Sequence, residues 1–138
     1  MSMHADSMAE RAILVVDDDT EMRALLVEVL YREGYLVEEA ANGAQAMSRL
    51  RSQPFAAIVM DKNQPGLGGL YLLPGIRMIC PETPVIVITT LSDAAAYAGA
   101  LKGGALEYLF KPFRMEELLG ALRRALPPVE GSASSSHA

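Results

Sequence analysis

Asp17-Asp18-Asp19 stand directly after the apolar run Ala12-Ile13-Leu14-Val15-Val16, so a greasy segment changes within one residue to adjoining carboxylates. A buried strand holds the side chains at its C-terminal end in fixed positions, and carboxylates held that way can converge on a cation, which a solvated acidic run cannot do. Other chemically capable residues also follow short apolar runs: Asp61 after Phe55 to Met60, Thr89 after Val85-Ile86-Val87-Ile88, and Lys111 after Leu106 to Phe110. Taken singly, each has an ordinary explanation. The aspartates complement a helix dipole, Asp61 forms a turn, Thr89 ends a β-branched strand and Lys111 is a surface charge. What distinguishes them is where a fold would bring them.

The periodicities alternate between strand and helix. Residues 12–16 read as a buried strand, after which Met22, Leu25, Leu26, Val29 and Leu30 recur at helical spacing, with Thr20 as N-cap and Gly34 as stop. Leu36 to Ala40 reads as a second strand; Asn42-Gly43 punctuates, and Ala44, Met47 and Leu50 mark a short helix before Pro54. Phe55 to Met60 forms the third strand. Leu70 to Ile79 has helical spacing, but Pro74 and Gly75 lie inside it; an interior Pro costs about 3 kcal/mol and an interior Gly about 1 relative to Ala, so this helix is expected to be weakened or kinked. Val85 to Ile88 is the central-strand candidate, Ser92 caps a helix from Asp93 to Lys102 that ends at Gly103-Gly104, and Leu106 to Phe110 is the fifth strand. The last helix runs from about Arg114 to Leu126, its apolar face formed by Leu118, Leu119, Leu122 and Leu126.

Strands alternating with helices predict an α/β fold: a doubly wound, five-stranded parallel sheet of flavodoxin-like order 2-1-3-4-5 with five helices. Ligands of such folds lie beyond the carboxyl ends of the strands, where the order reverses. Asp17, Asp18, Asp61, Thr89 and Lys111 all belong to those ends and share one crevice. Three carboxylates gathered there repel, and unless neutralised one takes up a proton; Mg2+, which keeps several waters and bridges carboxylates to phosphate, suits a site with too few ligands to enclose calcium. Asp61 is the expected centre, a nucleophile toward phosphorus that is already ionised at neutral pH, with Lys111 and Thr89 placed to stabilise phosphoryl oxygens.

The 138 residues suffice for one domain, 51% of them hydrophobic, and no apolar run approaches the roughly 20 residues of a membrane span. The start is polar and lacks a signal peptide's pattern, so the cytoplasm is expected and no membrane contact. Cys80, the single cysteine, excludes an internal disulfide and reads as a small buried hydrophobe. Net charge is −5 with scattered basic residues, so no direct nucleic-acid binding is expected of this segment. Residues 1–10 and 127–138 read as disordered, the latter as a tail or linker, with no output domain in this chain.

The chain resembles the receiver domain of two-component response regulators over about residues 11–126. The motifs are Val15-Val16-Asp17-Asp18-Asp19, Asp61 followed by Asn63, Pro65 and Gly69, then Thr89, Tyr108 and Lys111-Pro112-Phe113. The resemblance implies that Asp61 is the phosphoacceptor and that Asp17, Asp18 and Asp61 bind Mg2+ with the backbone carbonyl of Asn63. It further implies that Thr89 and Lys111 contact the phosphoryl group and that Lys111-Pro112 is cis. The donor would be a sensor histidine kinase or a histidine phosphotransfer protein. Thr89 and Tyr108 would then switch position, altering the surface of the fourth helix, fifth strand and fifth helix, with a phosphorylation-dependent dimer as one outcome. Such a protein is a phosphoacceptor switch rather than an enzyme, with at most self-phosphorylation and self-dephosphorylation. Gln64 and Gly68 depart from the usual pattern, and apolar Leu91, unable to position an attacking water, suggests a long-lived phosphorylated form.

Two rival readings stand beside this one. A haloacid-dehalogenase-like phosphatase also uses an aspartate after its first strand, but Asp17, Asp19 and Glu21 fail its motif at the last place. A vestigial, phosphate-independent interaction module would have no need of Asp61, Thr89 and Lys111.

Overall fold

The computed structural model describes residues 12–61, 72–96 and 105–126. The first apolar run forms β1, Ala12–Asp17, buried along its whole length. The elements then alternate as α1 (Thr20–Arg32), β2 (Leu36–Ala40), α2 (Gly43–Ser52), β3 (Ala57–Asp61), α3 (Leu72–Ile79), β4 (Val85–Thr90), α4 (Leu91–Ala96), β5 (Glu107–Lys111) and α5 (Met115–Ala125). All strand pairs are parallel and the sheet order is β2-β1-β3-β4-β5, as the alternating pattern predicts.

Two apolar layers fix the sheet between helices. Leu14, Val16, Ile58, Met60, Val85 and Val87 face α2 and α3, where Ala46, Leu50, Leu73 and Ile76 meet them. Ile13, Val15, Val59, Ile86 and Ile88 face α1 and α5, against Leu26, Leu30, Leu118 and Leu122. Central strands buried on both faces read as continuous apolar runs rather than alternating ones, which is why β1, β3 and β4 are so plain in the sequence.

Several local expectations are corrected. Asp19, not Thr20, caps α1, its carboxylate accepting the Glu21 N–H at 3.3 Å. At α4 the cap is Thr90, whose Oγ1 accepts the Asp93 N–H at 3.0 Å, so that helix begins one residue before Ser92. The expected stripe of α1 is narrower than its spacing suggested, since Leu26 and Leu30 are buried while Leu25 is 45% exposed. In α2 the buried residues are Ala46 and Leu50 rather than Ala44, and Cys80 is only half-buried. Gly75 lies against the Met47 side chain, so its lack of a Cβ serves close packing of α3 on α2. The expected continuation of the fourth helix to Lys102, and both chain ends, lie outside the described residues.

Gly34 ends α1 with φ of 97°, and no atom lies within 4 Å of where a Cβ would stand. The cost of a side chain there is conformational rather than steric. Gly34→Ala is expected to lower stability by about 1 kcal/mol in urea unfolding, and Gly34→Asn by less, because Asn tolerates the left-handed region.

Candidate functional site

Asp17 closes β1, Asp61 closes β3, and the parallel pairing sets the two directly opposite each other. Side chains alternate along a strand, so Asp17 shares the sheet face of Ile13 and Val15, and Asp61 that of Ala57 and Val59. Both carboxylates therefore rise on the α1/α5 side of adjoining strands. Lys111 ends β5 with the parity of Leu109, on that same side. Its Nζ lies 2.7 Å from Asp61 Oδ1. Because β4 separates β3 from β5, the ammonium crosses two inter-strand spacings, about 10 Å, which only a side chain as long as lysine or arginine can span.

Among the described residues the buried polar side chains are Asp17, Asp61 and Thr89, at 0%, 5% and 1% exposure. All three sit at the carboxyl edge of the sheet. The Thr89 hydroxyl finds no hydrogen-bond partner among the described residues, and Asp61 Oδ2 receives no hydrogen bond there. Thr89 lies on the parity of Val85 and Val87, the other sheet face, which Tyr108 shares. Tyr108 is half-buried, and burial pushes its phenol upward against hydrogen bonding with the Ala105 main chain.

Burial also governs the carboxylates. Asp17 is pushed up to about 7, mainly by desolvation, with the Asp61 charge adding to it and the Asp19 N–H, 2.9 Å from Asp17 Oδ1, opposing. Asp61 is raised as well, by desolvation first, with the Lys111 ammonium holding it back. Burial and mutual repulsion thus disfavour full ionisation of the pair, as the gathering of carboxylates at these strand ends leads one to expect. The Lys111 ammonium favours the anion at Asp61.

Asp17 and Asp61 are brought together, while Asp18 is exposed and reaches Asp61 only through its field. Asn63, Gln64, Pro65, Gly68 and Gly69 lie outside the described residues. Among those described, no three His, Cys, Asp or Glu side chains are already gathered to hold a metal. The two gathered carboxylates nevertheless fit magnesium, which takes one or two of them and keeps its waters, and the buried Asp61 Oδ2 is an acceptor awaiting a partner.

One polar group was not anticipated. Arg23 of α1 donates through Nη1 to the Asp17 main-chain carbonyl at 2.7 Å and through Nε to Glu39 Oε1 at 3.0 Å. The signal was present, since Arg23 precedes Leu26 and Leu30 by three and seven residues and so continues the buried stripe.

Residues 13–123 match the family model of the response regulator receiver domain. The chain belongs to that family. Curated relatives include the transcriptional regulatory protein TcrA of Mycobacterium tuberculosis, 36% identical over 80% of this chain and 44% of its own length. The DNA-binding transcriptional regulator NtrC of Escherichia coli is 35% identical over 86% of this chain and 25% of its own. The receiver domain thus spans less than half the length of these two relatives. Among solved structures, chemotaxis protein CheY4 of Vibrio cholerae superposes with a TM-score of 0.74 at 33% identity, covering 83% of this chain and 98% of that one. TrrA of Thermotoga maritima, in complex with Mg2+-BeF, gives 0.73 at 32%, covering 84% and 99%. Members of the family act as phosphorylation switches in two-component signalling.

The raised Asp17 fixes a sign. A carboxyl whose folded value exceeds 3.8 adds stability below that value and loses it as pH rises through about 7. Metal-free wild type is therefore expected to melt at higher temperature at pH 5 than at pH 8. Asp17→Asn should flatten that dependence and gain roughly 1 kcal/mol at pH 8, about 4 °C for a domain of this size, by thermal unfolding in chelator.

Proposed function

We propose that this receiver domain accepts a phosphoryl group on Asp61 from a histidine kinase or histidine phosphotransfer protein. The observation that carries the reading is the buried Asp61 carboxylate, in register with Asp17 and paired with Lys111 Nζ at 2.7 Å. A carboxylate oxygen of Asp61 attacks phosphorus in line; the new O–P bond forms as the N–P bond of the phosphohistidine breaks, and the electron pair leaves on the imidazole nitrogen. Lys111 then shifts its charge from the carboxylate to a phosphoryl oxygen, and the buried Thr89 hydroxyl donates to another. Asp17, Asp18 and Asp61 with the backbone carbonyl of Asn63 would hold magnesium, which when bound would supply the charge that lets the buried carboxylates ionise and would offset the phosphoryl oxygens.

Drawing the Thr89 hydroxyl toward the phosphate makes room on the sheet face that Tyr108 shares, so the ring moves inward and the surface of α4, β5 and α5 is remodelled. Leu91, Leu106 and Phe110 are exposed there at 67%, 59% and 42%. Exposed apolar side chains on a surface that changes with phosphorylation suit a downstream protein partner or a second copy of the domain. The cytoplasm, where kinases and magnesium meet it, is the proposed location.

Incubation with acetyl phosphate and magnesium is expected to raise the intact mass by one phosphoryl group in wild type and leave Asp61→Asn unchanged. An unlabelled wild type would reduce the domain to a phosphate-independent module. Because Leu91 has no polar atom to orient water, the label should persist well beyond seconds after donor removal, and decay within seconds would refute that role.

A further inference from the structure

Arg23 stands where the buried stripe of α1 reaches the carboxyl edge of the sheet, and its side chain is only 16% exposed. Pairing of β1 with β2 stops at Val16 opposite Ala40, so β2 offers no residue opposite Asp17. The guanidinium supplies a donor to the Asp17 carbonyl instead. Its other arm reaches Glu39 on β2, so one planar group ties the helix, the end of β1 and the edge strand together. Glu39 is itself fixed from behind, its main-chain carbonyl accepting from Arg49 Nε of α2, whose Nη1 also pairs with Glu38 at 3.2 Å. At the far side of the same residue, Asp17 Oδ1 accepts the Asp19 N–H.

We propose that Arg23 is a positioning residue for the acidic end of β1. By clamping the Asp17 carbonyl against Glu39 it sets the direction in which the Asp17 carboxylate faces Asp61, and so tunes magnesium affinity and, through it, the phosphoacceptor reaction. This rests on the reading of Asp61 given above. The fork geometry matters because a lysine ammonium serves as a point donor and does not hold carbonyl and carboxylate in one plane.

The test uses the 138-residue chain, as Arg23→Ala, Arg23→Lys and Glu39→Ala beside wild type and Asp61→Asn, well below each melting temperature. Magnesium chloride is titrated by calorimetry and the Asp19 amide is followed by NMR hydrogen exchange. Arg23→Ala is expected to weaken magnesium binding at least fivefold and to speed Asp19 exchange, with smaller losses in Arg23→Lys and Glu39→Ala. If Arg23→Ala does not fold, a twofold or greater loss in Arg23→Lys supports the proposal. A lower melting temperature with unchanged magnesium affinity and unchanged Asp19 exchange would make Arg23 a mere anchor of α1 and overturn it. Labelling of wild type by acetyl phosphate is read in parallel. A labelled wild type with normal magnesium binding in the Arg23 variants sinks this inference alone. An unlabelled wild type sinks the Asp61 reading while the magnesium comparison still decides on Arg23.

Discussion

Two buried carboxylates facing each other across adjoining strands set the terms for everything else at this end of the molecule. Parallel pairing puts Asp17 opposite Asp61, and a slip of either strand by one residue would turn its aspartate toward the other layer. Desolvation and mutual repulsion make the doubly ionised pair unstable on its own. Lys111 brings one cation to it, its ammonium lying 2.7 Å from Asp61 Oδ1.

The sheet also divides the labour. Asp17, Asp61 and Lys111 share the parity of the α1/α5 layer, whereas Thr89 and Tyr108 share that of the opposite layer. The two sets meet at the strand ends, with Thr89 following Ile88, the residue paired with Asp61.

Much of this was legible in the chain. The buried strands β1, β3 and β4 are continuous apolar runs that end in polar residues, and such breaks locate a crevice before any coordinates are known. Caps were less legible: Asp19 and Thr90 displaced Thr20 and Ser92, because any short polar side chain near a helix start can accept an amide and only backbone direction chooses among them.

The sequence by itself determined the fold class, the strand order expected of it and the identity of the polar strand ends, since these follow from periodicity and from abrupt changes of polarity. Tertiary structure alone decided that Asp17 and Asp61 stand in register while Asp18 faces solvent, that Lys111 spans β4 to reach Asp61, and that Arg23 braces the Asp17 carbonyl. The reason is that proximity between residues distant along the chain, and the loss of water that shifts their charge, arise only when strands pair and helices cover them.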